Sequence, residues 1–505
     1  MKVAEAEVEL IWWQQKSLWV LLFLGLSAGI PLFLIFSSLS LWLREAGVAK
    51  SAVTFFSWAA LGYSFKFIWA PLVDKLPLPY LTSLLGRRRG WLLLSQIAVI
   101  SAIVWMALID PQDGLVAIAF AAIALGFSSA TQDIVIDALR IEFADGRMQA
   151  LLSSTYVAGY RIGMIVSGAG ALYLAQSFGS TADHYSYEAW RNTYLCMAVV
   201  MLVGVVTTML IREPDSSTQD KVYPYATSDY GRFLLLFIIS ISAFVATFKL
   251  FPDTPEIFEG YLQLILSFCF SALALSVSIV VAVAAAKLSL MLGIANRQLL
   301  SESYVQPLAD FLSRYGRLAL WVLLLIGFYR VSDIVLGVIA NVFYQDMGYS
   351  KNEIASVAKT FGVIMTITGS FMGGFLVLKY GVMRILMLGA ILVSLTNLLF
   401  MVIANNAADI QLLIVVIAAD NLSGGIAVAS FIAWLSSLTN VSFTATQYAI
   451  FSSLMTLFPK LIGGYSGTMV EAIGYSNFFL VASLLGVPVV WLIYFLGQHL
   501  ALADS

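Results

Sequence analysis

Long apolar segments, separated by short polar ones, run through almost the whole chain. A helix needs about 20 apolar residues to cross the hydrocarbon core of a bilayer. Six segments reach this length before residue 212, two lie between residues 213 and 316, and six more follow residue 316. The fourteen predicted spans lie near residues 18–42, 52–73, 91–109, 114–138, 148–176, 190–211, 233–250, 261–292, 317–345, 351–379, 382–404, 409–437, 445–472 and 475–500.

The grouping of these spans predicts an all-α polytopic membrane protein built from two six-helix bundles. We place the N-terminal bundle at residues 1–212 and the C-terminal bundle at residues 317–505. The central segment, residues 213–316, then holds two additional transmembrane helices and a polar, amphipathic stretch at 295–316. We expect this stretch on the cytoplasmic side.

The composition agrees with a membrane protein and excludes other classes. The chain of 505 residues is 60% hydrophobic and 11% charged, whereas soluble domains contain roughly 25% charged residues. The net charge of −2 offers no basic surface to a nucleic acid. Two cysteines and two histidines form no metal-ligand or triad spacing, so we expect no cofactor and no enzyme active site.

The positions of lysine and arginine predict the orientation in the membrane. With the N-terminus inside, seventeen of the 27 basic residues fall in cytoplasmic segments and five in periplasmic segments. Basic residues favour the cytoplasmic side. We therefore expect both termini in the cytoplasm, and the remaining five cations lie inside predicted helices.

The two groups of six spans align with each other, which is typical of transporters built from internal repeats. A shift of 301 residues, applied after the first span of each group, places Gly47 on Gly348. A shift of 299 residues aligns the fifth span with the eleventh and places Arg161 on Lys460. Two registers at nearly the same offset favour duplication of one six-helix unit.

The five cations inside predicted spans are the first candidates for a binding site. A charged side chain in the bilayer costs roughly 3 kcal/mol or more, so it usually lines a cavity or pairs with another charge. Both halves contribute cations, which predicts a central cleft for an anionic substrate. The cations are Lys66, Arg161, Arg330, Lys359 and Lys460. Polar and aromatic neighbours that could contact hydroxyl groups, amides or sugar rings are Gln132, Tyr160, Tyr329 and Asn421.

Carboxylates within the spans are candidates for proton coupling. Asp133 and Asp137 are four residues apart and share one helix face. Two carboxylates this close in a low dielectric favour a reversible protonation site. Asp333 and Asp420 lie in spans of the second group. We rank Asp133 first, because Asp137 is close to the cytoplasmic end.

Each of these assignments has a structural alternative. Arg330 and Asp333 are three residues apart and can neutralise each other. Lys66 can extend its ammonium group to the membrane surface. Asp137 can form a gate salt bridge near Arg140, and the tyrosines can serve packing alone.

The loop after the second span contains a recognisable pattern. Ala70-Pro71-Leu72-Val73-Asp74-Lys75 is followed by Gly86-Arg87-Arg88-Arg89-Gly90-Trp91. This pattern resembles the signature loop of the major facilitator superfamily, although the insert of residues 76–85 is longer than usual. The resemblance implies the major facilitator fold and a cytoplasmic gate formed by Asp74, Arg87, Arg88 and Arg89. The alternative is an ordinary loop of basic residues on the cytoplasmic side.

Longer strings resemble a narrower family, the AmpG-type muropeptide permeases. They are the segment from Phe65 to Asp74, the string Ala130-Thr131-Gln132-Asp133-Ile134-Val135-Ile136-Asp137-Ala138, the string Gly159-Tyr160-Arg161-Ile162-Gly163-Met164 and the string Ser442-Phe443-Thr444-Ala445-Thr446-Gln447. Together they cover both six-span halves but leave the two central helices unexplained. Asp420-Asn421 stands where the family pattern has Glu-Asn.

The resemblance implies import of N-acetylglucosaminyl-1,6-anhydro-N-acetylmuramic acid, with or without its peptide, across the bacterial inner membrane. It also implies that the proton motive force drives transport, and that uptake can feed β-lactamase induction. We expect a monomer whose partners are this anionic substrate, protons and the lipid bilayer. A symporter for another bulky anion, such as an acyl-CoA or a peptide, is the alternative, and a passive channel would transport without protons.

Overall fold

The computed structural model describes residues 16–48, 61–143, 148–181, 184–214, 225–252, 255, 261–350, 353–463 and 466–503. The chain divides into two compact units. The first comprises Met1–Val73, Leu78–Gln219 and Leu312–Ser505, and the second comprises Asp74–Pro77 and Asp220–Phe311. The exact boundaries predicted for the central segment, 213–316, stay a prediction.

The first unit contains two groups of helices, here called the first half and the second half. The helices of the first half are α1 (Lys16–Glu45), α2 (residues 61–75, of which 74–75 belong to the second unit), α3 (Arg87–Ala107), α4 (Pro111–Glu142), α5 (Gln149–Ser177) and α6 (Tyr187–Leu210). The second unit contains α7 (Thr227–Leu250), α8 (Tyr261–Met291) and most of α9 (residues 297–315). The helices of the second half are α10 (Ala319–Phe328 and Val331–Asp346), α11 (Ile354–Tyr380), α12 (Val382–Ala404), α13 (Ile410–Leu438), α14 (Thr444–Gly463), α15 (Ser466–Leu484) and α16 (Gly486–Ala503).

Twelve helical segments in the described ranges are long and apolar enough to cross a membrane. The other two predicted spans correspond to α2 and α14, and both extend into residues outside the described ranges. The predicted all-α polytopic fold is therefore confirmed. Most helix ends agree with the predicted spans because polar caps and glycines mark them, but α15 runs from Ser466 to Leu484, with a kink at Gly474, across the predicted boundary between the last two spans. Asp110 and Asp409, for example, each accept a hydrogen bond from the backbone N–H two residues later, at the starts of α4 and α13.

The two halves end their first long helices in the same way. Gly47 and Gly348 have φ angles of +82° and +89°, a conformation that glycine adopts without a steric penalty. In both halves the residue after this glycine donates its N–H five residues back, from Val48 to the carbonyl of Leu43 and from Tyr349 to that of Tyr344. The identical termination at aligned positions supports the duplication inferred from the sequence.

Glycine allows α1 and α5 to pack with their backbones in contact. A Cβ atom on Gly159 would overlap the carbonyl of Leu22, and one on Gly29 would overlap the carbonyl of Tyr160. Small residues at four-residue spacing permit such close packing in membranes. This contact fixes the segment of α5 that holds Tyr160 and Arg161.

The second unit has a different surface character. Its helices α7 and α8 pack against each other, and most of the apolar side chains that the structure describes on them are exposed, including Leu235, Ile238 and Val280. Exposed apolar side chains all along a helix are expected where the solvent is lipid.

Candidate functional site

The end of the first unit that holds the start of α3 and the end of α4 is here called the basic end. It is defined by Arg88, Arg89 and Arg140. The hydrogen bonds that join the two halves at this end come from residues of α3, α4 and α5 on one side and of α11, α13 and α14 on the other.

Arg88 forms the first of these connections. Its guanidinium lies 2.7 Å from the carboxylate of Glu142 and donates a 2.6 Å hydrogen bond to the hydroxyl of Thr444 in the second half. Thr444 in turn donates to Glu142 at 2.6 Å. Both charged side chains are 1% exposed, so a buried ion pair closes the basic end at this point.

Arg140 forms the second connection, deeper in the bundle. Its Nη1 donates to Ser153 at 2.9 Å and to Ser436 of α13 at 2.7 Å. The guanidinium also lies over the ring of Tyr448 in α14, 5.0 Å from its centroid. The same group lies 3.5 Å from the carboxylate of Asp137.

The structure thus divides the predicted cytoplasmic gate. Arg88 connects the two halves, whereas Arg89 binds within the first half and donates to the carbonyls of Thr208 and Met209 at the end of α6. Arg87 begins α3. Asp74 is buried near the end of α2 and belongs to the second unit. The gate role of these four residues stays a prediction.

A carboxylate cluster lies next to this end, between α2, α4 and α5. Lys66 is buried and its ammonium group lies 3.3 Å from Asp137, so it pairs internally instead of extending to the membrane surface. Asp133 lies one turn away on the same helix, next to Tyr156 of α5. Its buried Oδ1 has no hydrogen-bond partner among the described residues.

Cations from both halves approach each other beyond this cluster. Arg161 of α5 interacts electrostatically with Arg330 and Asp333 of α10 and with Tyr160. Lys460 of α14 interacts with Arg330 as well, and its ammonium group lies 3.4 Å from the hydroxyl of Ser64 in α2. The structure therefore brings together three of the five predicted cations, contributed by both halves.

Arg330 also forms the ion pair that the sequence offered as an alternative. It lies 2.6 Å from Asp333, and both residues line a pocket inside the second half together with Tyr329. Tyr329 stacks on Phe431 with centroids 4.3 Å apart and donates to the carbonyl of Leu386. Its contacts are those of a packing residue.

The remaining predicted residues have other nearest partners. Gln132 donates to Ser27 of α1 at 3.2 Å, and Asn421 accepts from Thr366 at 2.9 Å. Asp420 lies 3.3 Å from the hydroxyl of Thr396. Lys359 is exposed and has no ion-pair partner within the described ranges. Whether these residues, and the cations above, bind substrate stays a prediction.

Several of these side chains lie where the helices are irregular. Lys66 begins a 3₁₀ turn within α2, and Arg330 lies at the break between the two segments of α10. Lys359 lies in a π-helical segment of α11. Irregular turns of this kind free backbone groups and occur often at functional sites and hinges.

Sequence reasoning did not identify Glu142, Thr444, Ser436 or Tyr448 as gate residues. All four are ordinary residues in their local sequence, near the ends of helices. The signal that was available is the string from Ser442 to Gln447, which contributed to the family resemblance and includes Thr444.

Comparison with known proteins identifies the family. A profile of the Major Facilitator Superfamily matches residues 21–328. The chain belongs to the Major Facilitator Superfamily. Among solved structures, the proton:xylose symporter XylE superposes with a TM-score of 0.63 at 13% identity, covering 95% of this chain and 94% of XylE. FucP in the outward conformation gives a TM-score of 0.61 at 9% identity, covering 95% and 98%.

Curated relatives extend over nearly the whole chain of this Major Facilitator Superfamily member. The "Putative transporter AmpG 4" of Rickettsia felis is 30% identical over 475 residues, which cover 94% of this chain and 95% of the relative. The "Anhydromuropeptide permease" of Escherichia coli K12 is 28% identical over 477 residues, covering 94% and 78%. The resemblance to AmpG-type permeases is confirmed, and the chain is a membrane transporter of this superfamily and not an enzyme.

Proposed function

We propose that this transporter imports anhydro-muropeptides from the periplasm into the cytoplasm together with protons, by alternating access. The observation that carries the proposal is the approach of Arg161, Arg330 and Lys460 from the two halves. The relative named anhydromuropeptide permease supports the choice of substrate.

The chemistry of these side chains suits an anionic sugar-peptide. Carboxylates of the substrate would meet Arg161 and Lys460, which lie at aligned positions of the two halves. An arginine can bind a carboxylate through two parallel hydrogen bonds, whereas a lysine acts as a point charge. Tyr160 is partly exposed beside Arg161 and can contact sugar hydroxyls or rings.

Proton coupling is assigned to the carboxylate cluster. Asp133 has an oxygen without a partner among the described residues, and Asp137 shares its charge between Lys66 and Arg140. Asp333 and Asp420 interact electrostatically in the second half. Protonation of one of these carboxylates would change the charge around the substrate, and the proton gradient then supplies the energy without a cofactor.

We place the protein in the bacterial inner membrane with the basic end and both termini in the cytoplasm. The support is the excess of lysine and arginine in the segments at this end. The bonds of Arg88 and Arg140 then close the cytoplasmic side, which corresponds to a conformation open to the periplasm or occluded. We expect transport by a monomer, because one chain supplies both halves.

Uptake into proteoliposomes tests the proposal. Labelled anhydro-muropeptide is offered with and without an inward proton gradient to wild type, Arg161→Ala, Lys460→Ala and Asp133→Asn. Lys379→Ala, which removes an exposed cation of α11, is the matched control. We expect gradient-driven uptake in wild type and control and its loss in the other variants.

The alternatives predict different results. Competition by an acyl-CoA or a peptide, without uptake of muropeptide, would replace the substrate assignment. Muropeptide uptake that does not respond to the gradient would remove the proton coupling and favour a passive channel.

A further inference from the structure

The second unit carries exposed cations at one end of its helix pair. Arg232 lies in the second turn of α7, Lys287 lies near the end of α8, and Arg297 is the first residue of α9. All three side chains are exposed. Lys249, at the other end of α7, is the one further basic residue of α7 and α8.

The pairing of α7 with α8 brings the first two cations to the same level. Phe251, just after the end of α7, contacts Phe270 of α8 with ring centroids 6.3 Å apart. Counted back from this contact along antiparallel helices, Arg232 is level with Ser289. Lys287 is then only about 3 Å away along the helix axis.

The start of α9 stays at this end of the pair. A turn at Gly293, with a φ angle of +69°, ends α8, and Asn296 caps α9 by accepting a hydrogen bond from the N–H two residues later. The ring of Tyr304 in α9 then contacts Phe233 at the start of α7, with centroids 6.2 Å apart. Arg297 therefore lies close to the level of the other two cations.

The acidic side chains of the same helices do not neutralise these cations. Asp229, Glu302 and Asp310 are half-buried, whereas the cations are exposed. Glu302 accepts a 3.0 Å hydrogen bond from Gln298. None of the three cations forms an ion pair with a residue in the described part of the chain.

Apolar side chains border the cations. Met291 and Leu292 at the end of α8 are exposed, and so are Val305 and Leu308 of α9. A soluble anion or a nucleic acid would use the cations but would leave this apolar surface in water. A molecule with an anionic head and apolar chains satisfies both features.

We propose that the second unit is a binding site for an anionic phospholipid. The phosphate of the headgroup binds among Arg232, Lys287 and Arg297, and the acyl chains cover the exposed apolar side chains of α7 and α8. An arginine can hold a phosphate through two parallel hydrogen bonds. The site gives a role to the two central helices, which the duplicated six-helix unit does not explain.

Contact between the lipid and a fluorescent reporter tests this site. A cysteine replaces Leu292, which is exposed and lies five residues from Lys287 and from Arg297, in a variant with Cys196→Ser and Cys269→Ser. It is labelled with bimane, and the protein is placed in phosphatidylcholine nanodiscs. Phosphatidylglycerol or phosphatidylcholine that carries a nitroxide on an acyl chain is then added in rising fractions, and the quenching of bimane is measured.

We expect half-maximal quenching at a fraction of phosphatidylglycerol at least about tenfold lower than that of phosphatidylcholine. Each cation near a lipid surface favours an anionic lipid roughly fivefold. Arg232→Gln, Lys287→Gln and Arg297→Gln should therefore each lower this preference about fivefold, and the combined variant should show none. Lys287→Arg keeps the charge and should retain the preference.

Lys249→Gln is the matched control, because it removes the same charge from the opposite end of α7. Its preference for phosphatidylglycerol should equal that of the protein with Lys249. An equal loss in Lys249→Gln would overturn the site, since the overall charge of the unit would then explain the preference. Equal quenching by the two lipids before any cation is removed would also overturn it.

Two further measurements separate the lipid from a soluble anion and do not depend on the variants. Inorganic phosphate, at an ionic strength matched with chloride, should leave the preference unchanged, and its loss in phosphate alone would assign the cations to a soluble anion. Rising sodium chloride should weaken the preference, because salt screens exposed charges. A preference that persists unchanged in 1 M salt would contradict binding through these cations, even if the combined variant does not fold.

Discussion

The ion pair of Arg88 and Glu142 gives the sharpest expectation for a single residue. Both side chains are buried, and Thr444 of the second half binds both of them. Glu142→Gln keeps the shape of the side chain but removes the charge opposite Arg88. We expect a loss of about 3 kcal/mol of stability in the closed conformation, measured as a lower midpoint of thermal unfolding in detergent.

Thr444→Val is the matched control for this change. It removes the hydroxyl and leaves the ion pair, so its effect should be only about 1 kcal/mol. An unfolding midpoint in Glu142→Gln that equals that of wild type would show that the pair does not stabilise the closed basic end.

Lys460 allows a test of charge against shape in the cation group. Its ammonium group lies near Ser64 and interacts with Arg330. Lys460→Arg keeps the charge, whereas Lys460→Gln removes it, and we expect the KM for muropeptide to rise about tenfold or more only in the glutamine variant. Equal KM values in the two variants would remove Lys460 from the substrate site.

The sequence located these charges within apolar helices but not their partners, and the structure leaves Arg161 half-buried and Lys460 exposed. Lys66, Arg161 and Lys460 are conspicuous because charge is rare in an apolar helix. Thr444 and Ser436 are not, since hydroxyl groups occur throughout the chain. Their roles depend on contacts between residues far apart in sequence, 356 residues for Arg88 and Thr444 and 296 for Arg140 and Ser436, and no local pattern encodes such a contact.

At the scale of helices, the contact of α1 with α5 depends on glycine. A Cβ on Gly159 would overlap the carbonyl of Leu22, whereas the nearest atom to a Cβ on Gly170, in the same helix, is 3.9 Å away. We expect Gly159→Ala to separate the two helices, displace Arg161 and lower both uptake and the yield of folded protein. Gly170→Ala should retain both.

Fluorescence size-exclusion chromatography and uptake measure the two effects. If Gly159→Ala has the uptake and the yield of folded protein of the wild type, a larger separation of α1 and α5 does not disturb the site. The string from Gly159 to Met164 carried part of the family resemblance, and the structure supplies a physical reason for its two glycines, because Gly163 meets the carbonyl of Leu26 in the same way.

Helix positions were predictable from length and hydropathy, but the irregularities within helices were not. The bilayer imposes a minimum apolar length, and glycines and polar caps mark the ends. The π-helical segment around Lys359 leaves no such mark. The 3₁₀ turn at Lys66–Ile68 is the exception, because Pro71 lacks the N–H that would bind the carbonyl of Phe67 and its ring clashes with that carbonyl.

At the scale of the molecule, duplication predicts two similar halves but not the state in which they are found. The matched glycines Gly47 and Gly348 follow from the repeat. The connections at the basic end do not follow from the repeat. Arg88 and Arg140 of the first half bind hydroxyl groups of the second half, but no arginine stands at the positions 299 to 301 residues after either of them. Asymmetric bonds of this kind favour one conformation over the other.

Alternating access requires these bonds to break during transport, and a disulfide across the basic end tests that requirement. A Cβ on Gly374 of α11 would lie 3.3 Å from Cβ of Ser154 in α5, close to the separation of about 3.5–4.5 Å found in disulfides. In a variant with Cys196→Ser and Cys269→Ser, oxidation of the pair Ser154→Cys and Gly374→Cys should abolish uptake. Reduction should restore it, and each single cysteine should be insensitive to oxidant. Undiminished uptake by the fully cross-linked protein would mean that substrate crosses without separation of α5 from α11. Alternating access by movement of the two halves would then be wrong, and the substrate would follow a pathway that leaves the basic end closed.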